Sequence, residues 1–121
     1  MIANVDSARG WSELRRDAPA PPRLIVHGDL DVTSVLDFRT TASAIEDPTL
    51  VVDLTDCTFV DATGLGALVG GIRRHHEVGG QVVIVVIPDS AIAGLLATTG
   101  VDQLTKVVPD CSWQPPAPLA C

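Results

Sequence analysis

The chain has 121 residues, 15 acidic against 8 basic side chains, and a formal net charge of −7. Hydrophobic residues make up 46% and charged residues 19%, which fits a single globular domain and excludes both a disordered chain and a two-domain one. The acid excess also excludes a general nucleic-acid binder, which needs Lys and Arg clustered against phosphates, and an electrostatic attachment to anionic lipid.

At the N-terminus there is neither a basic segment nor a long apolar one, the pattern expected of a cytoplasmic chain without a secretory signal. The longest aliphatic run, residues 82–87, falls far below the ~18 residues of a membrane span, so no membrane is expected as a partner. Three cysteines, Cys57, Cys111 and Cys121, show no metal-like spacing. They are expected as free thiols in a reducing compartment, with a Cys57–Cys111 disulfide disfavoured.

Prolines divide the chain. Seven of the nine lie at Pro19, Pro21, Pro22, Pro109, Pro115, Pro116 and Pro118. Residues 23–108 are therefore expected to be the packed domain, residues 1–22 a flexible segment, and residues 109–121 a Pro-rich tail. Within the first segment, residues 11–16 fit a short edge strand or a helical turn, and the pattern does not choose between them. Residues 24–27 read as a strand ended by Gly28. Val35, Phe38, Ala42 and Ile45 then mark one face of an amphipathic helix, with Thr33 or Ser34 as its cap and Pro48 beyond its end. Residues 50–54 are a second strand.

Leu65, Leu68, Val69 and Ile72 give the next helical stripe, stopped by Gly79 and Gly80. The run at 82–87 is apolar on both faces, as a central parallel strand should be. Pro88-Asp89-Ser90 opens a helix with Ile92, Leu95 and Leu96, closed by Gly100, and residues 104–108 read as a last short strand. Alternating strands and helices predict an α/β fold with a mostly parallel sheet.

The charge is uneven. Residues 28–61 hold eight carboxylates and one arginine, Arg39. Asp29, Asp31, Asp56 and Asp61 fall where strands end, the edge at which α/β sheets bind ligands. Such acids also solvate loops and cap helices, and their spacing is too unspecific to assign Mg²⁺. In the stretch Asp56-Cys57-Thr58-Phe59-Val60-Asp61-Ala62-Thr63-Gly64-Leu65-Gly66, Asp61 is the expected N-cap of a helix. Thr63 then stands in the first turn with its hydroxyl toward solvent. Gly64 and Gly66 keep that turn bare, so another backbone can approach, and the helix N-terminus favours an anion there. The stretch reads equally as a plain cap with packing glycines.

Other chemistry is poorly supported. Gly64-Leu65-Gly66-Ala67-Leu68-Val69-Gly70 has its third glycine one residue late for a dinucleotide fingerprint and lacks the following acid. Lys106 is the sole lysine, so there is no phosphate-loop lysine. No nucleophile elbow is present. His75 and His76 read as a solvated, mildly basic helix end, His27 as a core-edge residue, and Cys57 has no partner to activate it.

Taken in order, four blocks resemble the STAS domain, and more narrowly the stand-alone anti-sigma factor antagonists. They are Gly28-Asp29-Leu30-Asp31-Val32-Thr33, Val51-Val52-Asp53-Leu54, Phe59-Val60-Asp61-Ala62-Thr63-Gly64-Leu65-Gly66, and Gly79-Gly80-Gln81-Val82-Val83. The resemblance implies a STAS-like fold, a mixed, mostly parallel sheet of four or five strands with helices packed against it. It implies a switch protein without catalytic residues or cofactor. Such a protein binds an anti-sigma factor that is an ATPase-type serine/threonine kinase and so frees a sigma factor. Phosphorylation at the position of Thr63 turns it off, and a metal-dependent serine phosphatase reverses this. The implied partner surface is Asp29, Asp31, Asp61, Ala62, Thr63, Gly64, Leu65 and Gly66. A STAS subunit of a lipid-transport ATPase complex is the alternative. Two departures stand out: prolines interrupt the region of the family's first strand pair, and the tail after Pro109 cannot form the further helix with which the family often ends.

Overall fold

The computed structural model describes residues 10–109. In chain order the elements are β1 (Trp11–Arg15), β2 (Arg23–Leu30), α1 (Val35–Ser43), β3 (Thr49–Asp53), β4 (Cys57–Val60), α2 (Ala62–Glu77), β5 (Gln81–Val86), α3 (Ala91–Thr99), α4 (Val101–Leu104) and β6 (Lys106–Pro109). Five strands run β1-β2-β3-β5-β6 across one sheet, and β4 adds to it as a second parallel neighbour of β2. Among the described residues only β1 is antiparallel.

The mixed, mostly parallel sheet is the expected one, but it has six strands where four or five were expected. Both additions have local causes. β1 pairs with β2 from Trp11↔His27 to Arg15↔Arg23, so the segment before the prolines is an edge strand, and the packed unit begins well before residue 23. β4 carries no strand pattern in the sequence, because two exposed residues, Thr58 and Phe59, interrupt it. Nor does β2 end at Gly28. That glycine takes a positive φ of 71° and forms an irregularity at which β2 changes partner. Before it, residues 23–25 pair with β3; from it onward, residues 28–30 pair with β4. Gly28 N–H donates 3.1 Å to the Asp56 carbonyl, closing the turn between those two partners.

The core lies on the helix-bearing face. Leu24, Val26 and Leu30 of β2, Leu50 and Val52 of β3, and Val82, Ile84 and Val86 of β5 pack against Phe38, Ala42, Leu68, Ile72 and Leu96. The alternate residues Val51, Val83 and Val85 point to the opposite face and are buried too, which explains the unbroken apolar runs of these central strands. Burying one such valine, leucine or phenylalanine contributes about 1.5–3 kcal/mol. Gly100 closes α3 in the left-handed region at φ 82°, as expected. The four-residue α4 follows and takes in Leu104, so the last strand begins at Lys106 and not at residue 104.

A histidine and an aspartate are buried, the histidine against its sequence reading. His75 is not solvated: it is buried, and its Nε2 donates 2.7 Å to the Asp47 carbonyl, while His76 is exposed. Asp53, not singled out beforehand, is buried at the end of β3, accepting from Arg23 Nε at 2.9 Å and from Thr55 N–H and Oγ1 at 2.8 and 2.6 Å. Burial alone would raise its pKa, but the Thr55 and Arg23 donors outweigh that and hold it below the usual value. Cys57 is buried and free. The expectations for Cys111, Cys121 and the tail after Pro109 lie outside the described residues.

Candidate functional site

The C-terminal ends of β2 and β4 lie side by side, with Asp29↔Phe59 and Leu30↔Val60 in register. From these ends the chain enters α1 and α2, so both helix N-termini open at the same edge.

Asp61 begins α2 as its N-cap, in extended conformation, with Oδ1 accepting from Gly64 N–H at 2.8 Å. Its own N–H donates 3.3 Å to the Leu30 carbonyl, which fixes the helix to the end of β2. Gly64 allows that approach: a β-carbon there would lie 2.1 Å from the Leu30 carbonyl oxygen. Gly64 is thus required by packing. Gly66, Gly70 and Gly71 are not, since a β-carbon at any of them meets nothing within 4 Å. Their bareness opens a groove of about 350 Å³ between α2 and α1, lined also by Phe38, Arg39 and Arg74.

Ala62, Thr63 and Gly66 are exposed and Leu65 is half-buried. Among the described residues the Thr63 hydroxyl takes part in no hydrogen bond, while the N–H groups of the first helical turn favour negative charge beside it. On the β2 side, Asp31 Oδ1 accepts from Thr33 N–H at 2.9 Å and Thr33 Oγ1 at 2.6 Å. Asp29 Oδ1 accepts from Thr58 Oγ1 at 2.6 Å, joining β2 to β4. Ser34 holds the N-cap position of α1 but makes no side-chain cap bond. Its Oγ donates 2.6 Å to the Asp29 carbonyl and accepts from Asp31 N–H at 3.1 Å, so the expected cap is a loop brace.

The structure therefore brings Asp29, Asp31, Asp61, Thr63 and Gly66 to one edge. Each carboxylate has its own donor, and among the described residues no group of three or more His, Cys, Asp or Glu is arranged to hold a metal ion. Asp56 belongs to a separate cluster, bonded to His27 Nδ1. Burial pushes the Cys57 thiol up, away from thiolate chemistry.

Sequence reasoning missed the apolar part of this edge. Val32 in the turn before α1, Leu36 in the first turn of α1 and Phe59 on β4 are 71%, 73% and 52% exposed. Large apolar side chains left in water near an acidic, bare helix start are typical of contact surfaces. The signal was present in Val32-Thr33-Ser34-Val35-Leu36, where Leu36 falls off the helical stripe set by Val35, Phe38 and Ala42 and Val32 precedes the cap.

A family model described as Mlab, STAS domain, matches residues 14–109. Solved structures match the fold at low identity. An anti-sigma factor antagonist from Mycobacterium paratuberculosis superposes with a TM-score of 0.72 at 18% identity, covering 85% of this chain and 88% of that one. The anti-sigma factor antagonist SpoIIAA in its unphosphorylated form gives 0.66 at 19% identity, with 79% and 86% covered. The Bacillus cell fate determinant SpoIIAA in the phosphorylated form gives 0.63 at 18% identity, with 79% and 89% covered. Among the described residues no helix is long and apolar enough to cross a membrane.

Proposed function

The chain belongs to the STAS domain family, and on that premise we propose that it is an anti-sigma factor antagonist switched by phosphorylation of Thr63. The observation that carries this reading is the exposed Thr63 hydroxyl in the first turn of α2, beside the Asp61 cap and the bare Gly66, on a fold shared with antagonists of that kind.

The partner is a cytoplasmic anti-sigma factor with an ATPase-type kinase fold. Asp29, Asp31, Asp61, Ala62, Thr63, Gly64, Leu65 and Gly66 form or shape the surface it meets, with Val32, Leu36 and Phe59 adding apolar contact. The partner transfers the γ-phosphoryl group of ATP to Thr63 Oγ1, adding about −1.5 to −2 charge. The N–H groups and dipole of α2 accommodate that charge, so the domain keeps its fold. The partner instead meets a phosphate beside Asp61, on a molecule already at −7, and loses complementarity. A coupling of a few kcal/mol changes affinity by two to three decades. A metal-dependent serine phosphatase hydrolyses the ester and resets the switch. No step calls for chemistry by this chain beyond presenting the hydroxyl, so it is not itself an enzyme in this reading.

The test is capture from the host's soluble lysate with wild type, Thr63→Ala and Thr63→Glu as baits, read by mass spectrometry. Wild type and Thr63→Ala are expected to retain an ATPase-type kinase, and Thr63→Glu to lose it. Retention of one transport ATPase by all three baits would overturn the switch and favour a transporter subunit with Thr63 as a plain helix-start residue.

A further inference from the structure

We propose that His27 is a proton-operated clasp, which as an imidazolium ties edge strand β1 to the turn between β3 and β4 and on losing its proton lets one of them go. The geometry carries this. His27 Nε2 lies 2.8 Å from Glu13 Oε1 on β1, and Nδ1 is bonded to Asp56 Oδ2 on the turn. Trp11, directly opposite His27 in the antiparallel register, stacks on the ring with centroids 4.3 Å apart and planes 20° from parallel. Ionised carboxylates only accept hydrogen bonds, and a neutral imidazole has a single N–H. Only the cation donates to both.

The surrounding charges favour that cation. From β1 it faces Glu13, whose other partner is Arg15 at 2.8 Å. From the turn it faces Asp56. On its own strand the neighbouring same-face charges point elsewhere, Asp29 to Thr58 and Arg23 to Asp53 of β3. Two carboxylates thus meet one imidazolium with no competing cation in direct contact among the described residues. Partial burial pulls the imidazole pKa down, but the hydrogen bonds to Asp56 and Glu13 outweigh it and leave the pKa above the ordinary value.

The clasp acts where the sheet is least supported. Among the described residues β1 has a neighbour on one side only, and the Asp56 turn leads directly into β4, which ends at the Asp61 cap. A rise in pH through the His27 transition therefore loosens the edge strand or the turn that feeds the α2 start. The inference stands on the cluster alone and does not require the phosphorylation reading.

The probe is Trp11. The full chain carrying Trp113→Phe has Trp11 as its sole indole, and an imidazolium stacked on an indole quenches its emission. Between about pH 5.5 and about 8.5 the emission is expected to rise, with a midpoint above about 6.5. Amide exchange of β1, corrected for its intrinsic pH dependence, is expected to speed up several-fold across the same midpoint, and His27→Gln should abolish both transitions. A midpoint at or below the ordinary histidine value, or β1 exchange with the same profile in wild type and His27→Gln, would overturn the clasp. If His27→Gln does not fold, long-range ¹H–¹⁵N spectra of wild type decide: both His27 ring nitrogens protonated at neutral pH supports the clasp, and a neutral tautomer there overturns it.

Discussion

At the scale of single residues, Asp61 and Thr63 stand two positions apart and differ in kind. Asp61 satisfies the Gly64 N–H and hangs the helix on β2, so Asp61→Ala is expected to cost about 0.5–2 kcal/mol in urea unfolding. Thr63 is exposed and its hydroxyl makes no hydrogen bond among the described residues, so Thr63→Ala should stay within about 0.5 kcal/mol of wild type; a larger loss would assign it a structural role. Asp53 makes a third case. Its pKa is held below the usual carboxylate value in the folded chain, so the Arg23–Thr55 network stabilises above the unfolded pKa of about 4 and fades as pH falls through the lower folded value. Asp53→Asn should destabilise by about 1–3 kcal/mol at neutral pH, with the gap closing in acid; an equal gap at both pH values would show that the charge contributes nothing. The Asp61 cap was legible because capping is local chemistry. The burial of His75 and the turning of Ser34 toward Asp29 were not, since each depends on a carbonyl brought in by the fold, for His75 from 28 residues away.

At the scale of elements, α2 is a helix with two classes of glycine. Gly64 sits against the Leu30 backbone, and a methyl group there must displace either strand or helix. Gly64→Ala is expected to cost about 1–3 kcal/mol or more. Gly66 and Gly70 border open space, where a helix interior prefers alanine by about 0.8–1 kcal/mol. Gly66→Ala and Gly70→Ala should therefore raise the unfolding midpoint, and destabilisation by either would mean that the groove beside α1 has no room for a methyl group. A helix that forgoes that stability along its exposed face favours a surface kept bare for a partner, and loss of partner capture by the stabilised Gly66→Ala would follow from that use. In the sequence all these glycines look alike, because what separates them is whether β2 runs beneath. β4 was hidden for a related reason: a short strand added to one end of β2, with its outer residues in water, carries no full period to detect.

For the whole molecule, the three longer helices, the parallel order and the acidic strand ends were readable, because apolar periodicity and strand-end loops follow from sequence alone. The limits of the sheet were not. An edge strand half in water, cut off by prolines, has too little pattern to separate it from a turn, and only its pairing partner decides. That pairing gives β1 a role beyond bulk. It covers the free edge of β2 from Arg23 to His27 and contacts α1, where Ser12 N–H donates 2.8 Å to Asp37 Oδ2. A chain starting at residue 17 would expose a row of unpaired β2 donors and acceptors, which templates pairing with a second chain. It would also leave His27 without Glu13 and Trp11. Such a truncation is therefore expected to unfold at lower urea and to elute as a dimer or larger species in size-exclusion chromatography, the more so as concentration rises. A truncated chain that remains monomeric and as stable as the full one would place the folding unit at residues 23–108 after all and reduce β1 to an accessory strand.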